Sequence, residues 1–123
     1  MKQLKIVIAE DFRPLSDMLS RTLSAMDGIE VVGIAADGVE ALRLVRELKP
    51  RVLILDISMP LKDGIQVLRE IRAEDTSTVI IMFTGESSLV LRTVCQEEGA
   101  NYFLEKSQVK ELIEICELEL LAR

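Results

Sequence analysis

The sequence contains no histidine and no tryptophan, and only one tyrosine and three phenylalanines among 123 residues. Without histidine there is no imidazole base, and the chain cannot carry phosphate on a histidine. Acid–base or nucleophilic chemistry must fall on Asp, Glu, Lys, Ser or Thr. So few aromatics leave no stacking platform for single-stranded nucleic acid. The two cysteines, Cys95 and Cys116, without histidine make a poor structural zinc site. They stand far apart within helical patterns and read as small buried hydrophobes in a reducing compartment. No apolar run approaches the roughly 20 residues of a membrane helix. The N-terminal stretch from Met1 to Asp11 turns acidic where a signal peptide would continue apolar. The expected location is therefore cytoplasmic, away from any membrane. Positive charge is in the minority too: the net charge is −6, which argues against direct nucleic-acid binding.

What is present is a chain that packs. Hydrophobic residues make up 49% and charged residues 29%, which suits one core with a solvated surface. This length supports one domain, expected to span residues 1–123. Short apolar runs recur at Leu4–Ala9, Val31–Ala35, Val52–Leu55, Val79–Phe83 and Tyr102–Leu104. The first four are rich in Val and Ile, as strands buried on both faces of a parallel sheet are. Between them run helical stripes: Leu15, Met18, Leu19, Thr22 and Met26; Ala41, Leu42, Val45 and Leu48; Ile65, Val67, Leu68 and Ile71. A fourth joins Leu89, Val90, Val94 and Cys95, and a fifth joins Leu112, Ile113, Cys116, Leu120 and Leu121. Asp37 with Glu40 and Asp63 with Gln66 have capping-box spacing. Pro14 suits a first helical turn, Gly28 and Gly99 suit helix stops, and Pro50 bars the second helix from continuing.

Five alternating β–α units predict an α/β fold, a doubly wound five-stranded parallel sheet with helices on both faces. The flavodoxin-like order 2-1-3-4-5 places its site at the carboxyl ends of the central strands. Those ends carry Glu10-Asp11 on the first strand, Asp56 on the third, Thr84-Gly85 on the fourth and Glu105-Lys106-Ser107 on the fifth. Carboxylates gathered in a partly buried site repel one another unless a divalent cation sits among them. All-oxygen ligands favour Mg²⁺, with Mn²⁺ as an alternative. A carboxylate beside a metal, a hydroxyl and a lysine has the parts of an aspartyl-phosphate centre. Taken singly, Asp11 and Thr84 also fit helix caps and Lys106 a solvated surface lysine. Asp56 follows Val-Leu-Ile-Leu at the mouth of the central strand and has no such reading.

Together these residues resemble the receiver domain of two-component response regulators over the whole chain. The resemblance rests on Glu10-Asp11, on Asp56-Ile-Ser-Met-Pro60 followed by Asp63-Gly64, on Thr84-Gly85-Glu86, and on Gly99-Ala100 leading to Phe103 and Lys106. It implies that Asp56 is the phosphoacceptor. It implies metal ligation by Glu10, Asp11, Asp56 and the backbone carbonyl of Ser58. Thr84 and Lys106 would hold the phosphoryl oxygens, and Phe103 would be the switch aromatic that responds to Thr84. The readout face would be the fourth helix, fifth strand and fifth helix. Three positions depart from the usual pattern: the first acid is Glu10, Ser107 replaces a proline after the lysine, and Phe103 has no phenol hydroxyl.

The implied function is a signalling switch, not a metabolic enzyme, catalysing only its own phosphorylation and slow dephosphorylation. Its donor would be a histidine kinase or a histidine phosphotransfer protein, because this chain has no histidine. The output would be a downstream protein or an output domain absent from this chain, and a phosphorylation-dependent homodimer is a further expectation. The lack of a linker after the last helical pattern favours a stand-alone receiver over a regulator cut at a domain boundary. The alternative is a phosphorylation-independent interaction module of the same fold. A nucleotide binder is disfavoured because the first loop, Glu10-Asp11-Phe12-Arg13-Pro14, opens with two negative charges. A dehalogenase-type phosphatase is disfavoured because Ser58 stands where that class has a second Asp.

Overall fold

The computed structural model describes residues 3–122. Met1, Lys2 and Arg123, parts of the terminal readings above, lie outside the described residues. Five strands alternate with five helices: β1 Leu4–Ala9, α1 Arg13–Ser24, β2 Ile29–Ala35, α2 Gly38–Leu48, β3 Val52–Leu55, α3 Gly64–Glu74, β4 Val79–Thr84, α4 Leu89–Glu97, β5 Tyr102–Glu105 and α5 Val109–Ala122. All pairings are parallel and the order is β2-β1-β3-β4-β5, as expected.

The sheet separates two apolar layers. Val7, Leu53, Leu55, Ile80 and Met82 face α2 and α3, with Leu42, Val45, Val67, Leu68 and Ile71. Ile6, Ile8, Ile54, Ile81 and Phe83 face α1 and α5, with Leu19, Leu23, Leu112 and Cys116. β3 and β4 are buried along their whole length, which is why their runs carry no polar alternation.

The structure differs from the sequence reading where an element lies at an edge. β2 starts at Ile29, two residues before the expected Val31, because Gly28 turns the chain at φ 88° and its carbonyl accepts from Leu4 N–H at 2.7 Å. As an edge strand it is only partly covered, and Ile34 is 41% exposed. The stripe assigned to the fourth helix is half right: Cys95 is buried and Val94 partly covered, but Leu89 and Val90 are 79% and 71% exposed and Leu91 turns inward in their place. α1 ends at Ser24, so Met26 packs on the core from beyond the helix.

Caps hold the helix starts near the site. Asp63 and Gln66 form a complete capping box. Asp37 accepts from Glu40 N–H at 2.7 Å, but the Glu40 carboxylate pairs with Arg43 and the box stays half made. Two glycines permit close backbone approaches. A Cβ on Gly38 would lie 1.9 Å from Lys62 O, and one on Gly64 would lie 2.1 Å from Asp56 O. Both helix starts are thereby pressed onto the β3–α3 loop.

Candidate phosphoryl-transfer site

The carboxyl ends of β1, β3, β4 and β5 meet at one point. Glu10 N–H donates to Ala35 O at 2.9 Å and Asp56 N–H donates to Ala9 O at 3.0 Å, so both acids leave the sheet in register. Lys106 N–H donates to Thr84 O at 2.9 Å, which fixes the loop after β5 to the end of β4. Gly64 N–H donates to Ile57 O at 2.8 Å and holds α3 against the residue after Asp56.

One oxygen from each of Glu10, Asp11 and Asp56 lies within 4.8 Å of the others, with Glu10 and Asp56 buried and Asp11 exposed. Lys106 Nζ stands 2.8 Å from Glu10 Oε1 and 3.0 Å from Asp56 Oδ2. Its contact with Asp56 is a directed hydrogen bond. Its contact with Glu10 is an ion pair through the buried Oε1, which accepts no further hydrogen bond. Glu10 Oε2 accepts from Phe12 N–H at 2.9 Å, and Asp56 Oδ1 accepts from Ile57 N–H at 2.8 Å.

Burial pushes the Glu10 carboxyl above its ordinary pKa, and the Asp56 charge adds to that. Lys106 and the Phe12 amide pull the other way without cancelling it. For Lys106 burial works against the charge, but Glu10 and Asp56 outweigh it and its pKa is raised. The ammonium therefore stays charged, one cation between two buried acids.

The isolated readings of these residues can now be weighed. Asp11 does not cap α1: Phe12 is the N-cap and no side chain serves it. Thr84 does not cap α4, because Ser88 does, accepting from Leu91 N–H at 3.1 Å. Thr84 is wholly buried, and its Oγ1 accepts from Glu86 N–H at 3.1 Å. Lys106 is half-buried and paired, not a free surface lysine. Ser58 is exposed and its hydroxyl donates to the Glu86 carboxylate, linking the β3–α3 and β4–α4 loops beside the acids. Phe103 is buried and Tyr102 beside it points out, as alternation along a strand requires. No cis peptide bond occurs among the described residues, so Lys106–Ser107 is trans.

The donor set fits a hard divalent cation. Three carboxylates converge, the buried Glu10 oxygen is balanced only by the Lys106 ion pair, and every donor is oxygen. Sequence reasoning had Lys106 only as a phosphoryl ligand and missed its approach to Glu10. No spacing rule reports a pairing between residues so distant in the chain.

The sequence profile of the response regulator receiver domain matches residues 6–117. The chain belongs to this family. It is 38% identical over 111 residues to an uncharacterized transcriptional regulatory protein, YhcZ, of Bacillus subtilis (strain 168), covering 89% of this chain and 52% of that protein. The chain thus spans about half the length of this curated relative. Among solved structures it resembles a two-component response regulator of the LuxR family from Aurantimonas sp. SI85-9A1, with 30% identity, a TM-score of 0.89, and coverage of 99% of this chain and 88% of that one. It also resembles the response regulator domain of Thermotoga maritima CheB, with 26% identity, a TM-score of 0.88 and 97% coverage of both chains. Receiver domains are signalling switches that bind Mg²⁺ at an acidic pocket, and the acidic cluster of this receiver is Glu10, Asp11 and Asp56. No helix among the described residues is long and apolar enough to cross a membrane.

Proposed function

We propose that residues 1–123 act as one receiver domain, a switch that accepts a phosphoryl group from a phosphohistidine on a partner onto Asp56. The partner is a histidine kinase or a histidine phosphotransfer protein, met in the cytoplasm. The observation that carries this reading is the Lys106 ammonium bridging the buried Glu10 and Asp56 carboxylates, with Asp11 converging on the same point. That arrangement suits a site completed by a cation and an incoming anion.

Glu10, Asp11, Asp56 and the Ser58 backbone carbonyl would hold Mg²⁺, which supplies charge neutralisation of phosphoryl oxygens when bound. An Asp56 carboxylate oxygen attacks phosphorus, and the imidazole nitrogen of the donor leaves. Lys106 then exchanges its contact with Asp56 for a phosphoryl oxygen, its raised pKa keeping it cationic. Thr84 Oγ1 hydrogen-bonds another phosphoryl oxygen. Its displacement is felt by Phe103 on the neighbouring strand, and the α4–β5–α5 face changes for a downstream protein, an output domain or a second copy.

Intact mass after incubation with Mg²⁺ and acetyl phosphate tests this. The natural protein should gain one phosphoryl group, while Asp56→Ala and an EDTA control should gain none. Failure to label, together with failure to bind Mg²⁺, would leave a phosphorylation-independent interaction module as the function of this fold.

A further inference from the structure

α4 is the least anchored helix of the molecule. Cys95 is its one buried residue, whereas α2 buries Gly38, Ala41, Leu42, Leu44 and Val45. Its N-terminal half exposes Leu89 and Val90, and Leu91 is only partly covered. The residue that follows, Arg92, is partly buried, with its guanidinium 4.8 Å above the centre of the Phe103 ring. One of its amino groups donates to the carbonyl of the same residue at 3.3 Å. One side chain thus grips both the ring and the backbone of Phe103.

We propose that Arg92 is a positioning residue that fastens the N-terminal half of α4 to Phe103, so that displacement of the Phe103 ring is transmitted to α4. A guanidinium stacked on an aromatic face is attracted by the ring quadrupole, and the attraction grows when water is partly excluded. The second contact, to the carbonyl, ties the same guanidinium to β5, so ring and strand cannot shift without moving the helix or breaking the contacts. With little apolar burial on this half of α4, these contacts are a large share of what holds it. The transmitting role rests on the switch reading above, whereas the fastening itself does not.

Hydrogen exchange followed by mass spectrometry, on the full chain without metal, reads the fastening. In Arg92→Gln the α4 peptide should exchange about tenfold faster, the size expected for losing a cation–aromatic contact and a charge-assisted hydrogen bond. The α2 peptide should be unchanged, which excludes general unfolding. Arg92→Lys should fall between. Replacing Phe103 with fluorinated phenylalanines weakens the ring quadrupole at nearly constant shape. Exchange in α4 should rise with each fluorine in the natural background and stay flat in Arg92→Gln. Equal α4 protection in the natural protein and Arg92→Gln would overturn the fastening, and so would indifference to fluorination. For transmission, Mg²⁺ with beryllofluoride should shift both the ¹⁹F signal at position 103 and α4 exchange in the natural protein. In Arg92→Gln it should shift only the ¹⁹F signal. If both still shift in the variant, transmission does not run through Arg92. If neither responds in the natural protein, the switch reading fails and the transmitting role with it, while the metal-free comparison still decides the fastening.

Discussion

The two ends of the sheet treat charge in opposite ways. At the amino end Arg72 donates to Gly99 O at 2.9 Å, Asp75 O at 3.2 Å, Thr78 O at 2.7 Å and Asn101 Oδ1 at 2.8 Å. Asp75 accepts from Ser77 N–H at 2.8 Å, from Ser77 Oγ at 2.6 Å and from the Thr78 hydroxyl. Those hydrogen bonds hold its carboxyl well below the usual range. At the carboxyl end two buried acids share one lysine, the Glu10 carboxyl is pushed up, and Glu10 Oε1 has no hydrogen bond beyond its Lys106 ion pair. Satisfied polar groups at the amino end stabilise the fold. At the carboxyl end, burying two acids around one cation costs stability, a cost that a second cation would lower.

The carboxyl end tolerates that cost because close backbone contacts help hold it in shape. The strongest test of this is Gly64→Ala, whose new Cβ would meet Asp56 O at 2.1 Å and Ile57 Cα at 2.8 Å. Neither obstacle is a flexible side chain, so the loop bearing Asp56 must shift. The expected loss is about 3 kcal/mol or more in denaturant unfolding, with acetyl phosphate labelling lost as well. A variant of natural stability that labels normally would mean that the α3 start does not position Asp56.

Next in size is Arg72→Ala, which removes four donated bonds joining α3, the start of β4 and the turn before β5. The expected loss is about 2–3 kcal/mol by urea unfolding. Because the acids stand at the other end of the sheet, labelling of Asp56 below the transition should persist. A loss under about 0.5 kcal/mol would place Arg72 among ordinary surface residues and break the contrast between the ends.

The same contrast explains what the sequence made legible. The strands of the sheet centre were readable because burial on both faces forbids polar residues, leaving continuous runs at β3 and β4. The acids were readable because chain order alone carries Glu10, Asp11 and Asp56 to adjacent strand ends, where ligands collect in such sheets. Phase on a short helix was not readable: Leu89, Val90 and Leu91 are equally apolar, and only the tertiary structure selects Leu91. Nor were the roles of Arg72 and Arg92 readable, because a guanidinium that bonds backbone carbonyls across the fold leaves no local pattern.

Glu10→Gln sharpens the comparison at smaller scale. Near neutral pH without divalent metal, the amide removes a charge that burial disfavours, and stability should rise by about 1 kcal/mol. The Phe12 N–H retains an acceptor. Mg²⁺ at about tenfold over its dissociation constant should stabilise the natural protein by about 1.4 kcal/mol and the variant by far less, reversing their order. Thermal unfolding with and without Mg²⁺ reads this, and equal Mg²⁺ responses would remove Glu10 from the ligand set.

The smallest effect has opposite signs at the two ends. The Asp75 pKa is depressed in the fold from 3.8, so its contribution is present above that value and is lost as pH falls below it. The Glu10 pKa is raised from 4.5, so its stabilising protonated form is fully present below that value and is lost as pH rises above it. Asp75→Asn should therefore cost less than about 1 kcal/mol near neutrality, its exposure weakening the effect, and the cost should fade under acid. Glu10→Gln should gain near neutrality, and its gain should fade as pH falls toward 4.5 and be gone below it. Urea unfolding of both variants against the natural protein, from neutral pH down to about pH 3, gives two difference curves. Acid should draw both toward zero, from below for Asp75→Asn and from above for Glu10→Gln. Two curves of the same sign would mean that the acids at the carboxyl end are as well satisfied as Asp75, and that no unmet electrostatic demand there awaits a cation.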